Sequence, residues 1–263
     1  MNDRLFSVEG QVVLVSGASR GIGRAIAEGF AQRGARVIIT GRELATLEAT
    51  ARAISPGGLA RPMVCDVADP AAIERLVAGA LAEYGHIDTL VNVAGVNRRM
   101  LAERLTEDDY DFVMDINLKG PFLLSVAVGK AMLQRGKGSQ INISSLNSDR
   151  PLKGVAPYAM SKAAMDHMTR SLAMEWGPRG VRVNAIAPGF VLTDLTRKLW
   201  SQPTMQEWGQ ANTPLVRLGQ PEDMVGAAIF LASEASAWMT GQVLFVDGGF
   251  SAGLVWPIDF DKQ

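Results

Sequence analysis

Residues 11–16, Gln-Val-Val-Leu-Val-Ser, are a β-branched run, and a glycine-rich stretch follows directly: Gly17-Ala18-Ser19-Arg20-Gly21-Ile22-Gly23. Behind it Ile22, Ile26, Ala27 and Phe30 recur at helical spacing. A strand without polar alternation is buried on both faces, which predicts a sheet covered on both sides. The glycines predict a turn whose backbone can approach a ligand closely. The helix start behind them offers free N–H groups and a positive dipole end to a phosphate. The spacing is G-x-x-x-G-x-G rather than the G-x-G-x-x-G most often quoted for dinucleotide folds.

Further strands are predicted over 36–40, 61–65, 87–91, 139–145, 181–187 and 243–246. Helical patterns fall over 70–84, over 107–135 as one or two helices broken around Asn117 and Gly120-Pro121, over 158–176 and over 221–232. Such alternation implies parallel pairing. The expected fold is α/β: a Rossmann-like doubly wound parallel sheet of about seven strands, helices on both faces, one domain over 1–263. Ligands bind such sheets at the carboxyl ends of the strands. Gly17, Asp66, Asn92, Ser145 and Pro188 all fall there. The irregular stretch 189–219, with Trp200, Trp208, Pro203 and Pro214, is long enough to predict a substrate lid.

Composition excludes several function classes. A net charge of −1 over 263 residues does not suit a nucleic-acid binder and gives no general attraction to anionic membranes. No apolar run is expected to approach the ~20 residues of a membrane span. The first ten residues lack the apolar run of a signal peptide, so a cytoplasmic location is expected. The single cysteine, Cys65, sits in an apolar run and reads as inert core. No cysteine/histidine spacing suggests a metal site, and neither His86 nor His167 reads as catalytic.

The chemistry concentrates between Ser145 and Lys162. Tyr158 and Lys162 are four apart, so on a helix they share a face one turn apart. A phenol ordinarily titrates near ~10, and a neighbouring cation favours its anion. Lys162 is therefore expected to bring Tyr158 toward a useful range for proton transfer. Ser145, ending the buried run Ile-Asn-Ile-Ser-Ser, can aim a hydroxyl at the same point. At the end of the second strand no acidic residue waits for ribose hydroxyls. Arg42 stands there instead, with Arg20 in the glycine turn, and two guanidinium groups suit a 2′-phosphate. NADP(H) is thus favoured over NAD(H).

Together S-G-A-S-R-G-I-G at 16–23, N-V-A-G at 92–95, Asn117, S-S at 144–145, Y-A-M-S-K at 158–162 and P-G-F-V-L-T at 188–193 resemble the short-chain dehydrogenase/reductase family, nearly end to end. Ser16 stands where the family usually has threonine, and Val93 where it has a second asparagine. The resemblance implies that Tyr158 passes the proton, Lys162 holds the nicotinamide ribose, Ser145 bonds the substrate oxygen and Asn117 holds a relay water. It implies a dinucleotide lying along Gly17, Ser19, Arg20, Gly21, Ile22 and Gly23, then Arg42, Asp66, Val67, Asn92, Ala94 and Gly95. Beyond these come Tyr158, Lys162, Pro188, Gly189, Val191 and Thr193. Within the family the chain looks most like the gluconate 5-dehydrogenase and related sugar-acid branch, through N-R-R-M at 97–100, I-N-I-S-S-L at 141–146, G-V-A-P-Y at 154–158 and W-M-T-G-Q-V-L-F-V-D-G-G at 238–249. Arg98, Arg99 and Arg150 are then candidates for a substrate carboxylate.

The expected function is a small-molecule oxidoreductase interconverting a secondary alcohol and a ketone. The alternatives are a 3-oxoacyl carrier-protein reductase, with Arg135, Lys137 and Arg179 as a docking patch, a broad carbonyl reductase, and a non-catalytic cofactor sensor. The resemblance implies a homotetramer. Met165, Met168, Leu172, Ala173 and Trp176 make the helix after Tyr158 apolar beyond one stripe, which suggests burial on several sides.

Overall fold

β1 (Val12–Ser16) is buried at every position and pairs in parallel with β2 (Arg36–Gly41) on one side and β4 (Thr89–Asn92) on the other. In this computed structural model residues 4–55, 57–194 and 196–256 are described; the ends of the expected domain and Leu195 of the expected lid lie outside the described residues. With β3 (Ala60–Val64), β5 (Gly138–Ile143), β6 (Val181–Pro188) and β7 (Val243–Val246), one parallel sheet of seven strands forms in the order β3-β2-β1-β4-β5-β6-β7.

Alternate residues serve the two faces, as the pleat requires. Val13 and Val15 join the core under α1 (Gly21–Ala31), α2 (Leu44–Ile54) and α9 (Val225–Ala232). Val12 and Leu14 join the opposite core, under α3 (Pro70–Tyr84), α5 (Gly120–Arg135) and α6 (Ala156–Trp176). At the amino edge Asp88 fastens β1 and α5 together. It accepts hydrogen bonds from the Val12 N–H at 2.8 Å and from Arg135 Nη1 at 2.6 Å.

Three elements differ from the sequence expectation. α2 was not foreseen, although Leu47, Ala51 and Ile54 keep helical spacing on its buried side. The break expected near Asn117 is instead a π-helical segment, Asp115–Lys119, joining α4 (Glu107–Met114) to α5, with the Gly120 N–H donating to the Asp115 carbonyl. Single π turns accommodate an extra residue without ending a helix. Gly120 is needed there, because a Cβ would lie 2.3 Å from the Val67 carbonyl oxygen. The resulting 29-residue helix, Glu107–Arg135, is long and apolar enough to cross a membrane, contrary to expectation. Its apolar residues Leu124, Val128 and Met132 are buried in the core shared with α3 and α6. Met165, Met168, Leu172, Ala173 and Trp176 are buried in that core too, so they give no support to an intersubunit surface.

Candidate active site

The glycine turn after β1 admits no substitute at two points. Gly17 has φ 64°, and a Cβ on it would lie 2.7 Å from the Ala94 Cα. At Gly23 a Cβ would lie 2.4 Å from the Gly17 carbonyl oxygen. The turn therefore closes on itself and against the 92–95 turn. Ser16 Oγ ties the two, accepting from the Val93 and Ala94 N–H groups at 3.0 and 3.3 Å. That bond needs only a hydroxyl, so serine serves as well as threonine. Arg20, at the N-cap of α1, makes no side-chain cap, so no capping side chain competes for the helix's first N–H groups.

These groups line a cavity of about 400 Å³ at the carboxyl ends of the strands. The strand order reverses between β1 and β4, the crevice where open α/β sheets take ligands. After β2 and β3 come Arg42, Asp66 and Val67; after β4 come Ala94 and Gly95. Past β5 and β6 stand Ser145, Pro188, Gly189, Val191 and Thr193, with Tyr158 and Lys162 from α6. Thr193 crosses to the start of α1, where a Cβ on Gly21 would touch its methyl at 3.5 Å. The glycine cradle, the uncapped helix start and a lining that runs from the end of β2 to the end of β6 fit a dinucleotide cofactor. Arg20 and Arg42 have no carboxylate partner among the described residues.

β5 ends at Ile143, two residues sooner than expected, and Ser145 follows in extended conformation before a short 3₁₀ turn, Leu146–Ser148. α6 starts at Ala156, with Pro157 in its first turn, where a missing N–H costs nothing. Tyr158 and Lys162 thus share the first two turns. Burial raises the Tyr158 pKa, and the Ser145 hydroxyl beside the phenol, then the Arg99 guanidinium, pull it back in part. Lys162 is 3% exposed, and Nζ donates to the Ile143 carbonyl at 2.7 Å while lying 5.7 Å from the centre of the Tyr158 ring. Burial lowers its pKa to about 8, against a raising contribution from Asp166. The expectation that Lys162 makes the phenol more acidic is therefore corrected. The ammonium is turned to a strand-end carbonyl, and the phenol stays protonated, ready to donate.

Four expected site residues lie elsewhere. Asn92 is 1% exposed and does not line the cavity; its amide donates to Ser125 Oγ and Asn142 Oδ1, each at 2.9 Å, inside the core. Asn117 sits behind the wall, with Nδ2 donating to the Val96 carbonyl (2.9 Å) and Ser161 Oγ (3.1 Å) and Oδ1 accepting from the Val96 N–H (2.8 Å). Both its amide hydrogens are used, so its side chain shapes the 93–97 turn. Arg98 pairs with Asp109 and stacks on Phe112, and Arg150 pairs with Asp149. Of the three candidate arginines only Arg99 lines the cavity.

The lid region contains α7 (Arg197–Trp200) and α8 (Pro203–Ala211). Phe190 packs against Trp200, Trp208 and Phe250 at ring-centre distances of 5.1, 5.4 and 4.7 Å. Phe190, Trp200 and Trp208, with Leu146, Leu152, Leu199 and Met205, make one wall of the cavity apolar, and Phe250 packs against that cluster. Asn97 and Asn147 add polar groups, and Asn97 Oδ1 is buried without a hydrogen bond. No periodic pattern marks the apolar wall residues, which come from four separate segments. Cys65 also reaches the wall; burial, then Asp66 and Asp69, push its thiol up to about 11, so it is no nucleophile.

A family model described as Enoyl-(Acyl carrier protein) reductase matches residues 17–251. The gluconate 5-dehydrogenase of Gluconobacter oxydans is 40% identical over 95% of this chain and 98% of its own length. The 3-oxoacyl-[acyl-carrier-protein] reductase of Escherichia coli is 43% identical over 92% of this chain and 97% of its own length. Among solved structures, a gluconate 5-dehydrogenase from Burkholderia cenocepacia in complex with NADP and tartrate superposes with a TM-score of 0.92 at 37% identity, covering 95% of this chain and 99% of that one.

Proposed function

Because the chain belongs to the short-chain dehydrogenase/reductase family, we propose that it interconverts a secondary alcohol and a ketone with NADP(H), on a carboxylate-bearing sugar such as gluconate/5-ketogluconate. The observation that carries this reading is the meeting of Ser145 and Tyr158 on the wall of the cavity that the α1 start also lines. The nicotinamide cofactor, when bound, supplies or accepts the hydride. Gly17 to Gly23 would hold its pyrophosphate, Asp66 and Val67 its adenine end, and Val191 and Thr193 its nicotinamide end. In reduction Ser145 and Tyr158 hydrogen-bond the ketone oxygen as negative charge grows on it, which stabilises the transition state. Tyr158 gives that oxygen its proton; in oxidation the proton returns the same way.

Arg20 and Arg42 support the choice of phosphate-bearing cofactor. Arg42→Ala is expected to lower kcat/KM for NADPH by about tenfold or more and that for NADH by less than about twofold, since a charge-assisted bond to phosphate is worth about 1.5–3 kcal/mol. Equal losses with both cofactors would remove Arg42 from phosphate recognition.

The sugar-acid reading rests on Arg99 in the cavity and on relatives named as gluconate 5-dehydrogenases, one of them holding tartrate. A second reading is favoured by the apolar lid wall, which suits the acyl body of a 3-oxoacyl thioester. The basic patch proposed for a carrier protein does not help that reading. Arg135 pairs with Asp88 and Lys137 with Glu234, and both lie before β5, at the edge opposite the cavity. Comparing kcat/KM for 5-ketogluconate and an acetoacetyl thioester decides between them. A preference of about tenfold or more for the keto acid is expected, lost in Arg99→Ala; the reverse preference would discard the sugar acid.

A homotetramer remains the reading of assembly, as the family resemblance implies. Light scattering at micromolar concentration should give about four times the 28.2 kDa chain mass; a monomeric mass would contradict it.

A further inference from the structure

Asp166 lies on α6 one turn beyond Lys162 and is 6% exposed. Its Oδ1 is buried and accepts no hydrogen bond. A carboxylate in that position is costly unless neighbouring charge and dipoles compensate it, and the reaction as described gives it no role. On its own helix it faces Lys162 and Arg170. From the turn after β5 the hydroxyls of Ser144 and Ser148 approach it. Those two residues flank Ser145: Ser148 Oγ donates to the Ser145 carbonyl at 2.8 Å, and Ser144 Oγ to the Lys162 carbonyl at 3.4 Å. The neighbouring 93–97 turn carries no ionisable side chain, and Asp115 of the π segment is paired with Lys119. Two turns back on α6 stands Tyr158, with Arg99 near it, and α4, packed against α6, carries Glu107, Asp108, Asp109, Tyr110 and Asp111. Burial raises the Asp166 pKa and lowers that of Lys162, and each group offsets part of the other's shift.

We propose that Asp166 is a positioning residue for this reaction: a buried carboxylate, one turn from Lys162, that keeps Lys162 cationic. The proposal rests on the reading of Ser145 and Tyr158 given above, with Lys162 as the cation beside them, whose Nζ holds the Ile143 strand end at 2.7 Å and stands 5.7 Å from the Tyr158 ring centre. With its pKa near 8, Lys162 changes charge close to neutrality, so losing one neighbouring negative charge moves much of its protonated population. The sign follows from the charge: without the carboxylate, Lys162 gives up its proton at lower pH.

Asp166→Asn keeps the shape and removes the charge. Titrating lysines labelled with ¹³C in the cofactor-free protein should place the Lys162 inflection near 8 in the wild type and about one unit lower in the variant, a tenfold loss of proton affinity. In ketone reduction the alkaline limb of kcat/KM should move down with it, while rates well below the limb stay within about twofold. An unmoved Lys162 inflection, or an equal loss of rate at every pH, would overturn the proposal. Asp166→Glu, which keeps the charge, should keep the wild-type inflection. If Asp166→Asn does not fold, Asp166→Ser, which also removes the charge, takes its place in the same titration, with the same lowered inflection expected and an unmoved one overturning the proposal; failure of both neutral variants to fold also overturns it. The titration needs no turnover, so a chain that reduces no ketone would defeat the reaction reading and leave this coupling still decided.

Discussion

Tyr158→Phe is expected to lower kcat/KM for ketone reduction by about 10³-fold or more while changing NADPH affinity by less than about threefold. The substitution removes only the phenolic hydroxyl. The ring stays beneath Lys162 Nζ, and the bond from Nζ to the Ile143 carbonyl is untouched. Proton transfer by a placed side chain is ordinarily worth about 10²–10⁴ in rate, and the hydroxyl is also a hydrogen-bond donor to the developing oxyanion. The raised pKa of Tyr158 puts it in the donor form at neutral pH, which is the form reduction consumes. Steady-state kinetics, with NADPH fluorescence as the binding measurement, check both halves. A variant that still reduces ketones at the wild-type rate would hand the proton to another group.

The second large effect concerns the cofactor cradle. Gly23→Ala is expected to cost at least about 100-fold in NADPH affinity and about 1–3 kcal/mol of stability. Its methyl would meet backbone, the Gly17 carbonyl oxygen at 2.4 Å and carbon at 2.9 Å, and backbone cannot swing away as a side chain can. The turn would have to open, displacing the N–H groups proposed to hold the pyrophosphate. Gly79→Ala on α3 is the control: nothing lies within 4 Å of its added Cβ, so it should leave binding unchanged and stability equal or up to about 1 kcal/mol higher. Thermal melts and cofactor titrations of the two variants make the comparison. Normal binding by Gly23→Ala would mean that the pyrophosphate lies elsewhere.

The strands were legible because each is a short apolar run bounded by turn residues, and parallel order follows from helices alternating with them. Tyr158, Lys162 and Ser145 were legible for a related reason: strand end and helix start are local features, and a four-residue spacing determines which side chains share a face. What stayed hidden depends on contacts between distant segments. Asn92 ends a strand, as a ligand-binding residue does, yet its amide points through the sheet to Ser125 and Asn142. Arg98 and Arg99 are adjacent and indistinguishable in sequence, and only the packing of Arg98 on Asp109 and Phe112 assigns the cavity to Arg99. Spacing likewise puts Lys162 near Tyr158 without revealing that its ammonium is claimed by Ile143. The aromatic cluster of Phe190, Trp200, Trp208 and Phe250, three of which line the cavity, is assembled from four separate places in the chain, and no periodicity announces it.

Everything proposed about the reaction depends on one oxygen atom being reached by two hydroxyls at once. A crystal structure of the ternary complex with NADP and an unreactive keto-acid analogue measures this directly. The substrate oxygen is expected within about 3 Å of both Ser145 Oγ and Tyr158 Oη, with the carboxylate against Arg99. An oxygen bonded to neither hydroxyl, in a complex that holds cofactor and ligand, would contradict the assignment.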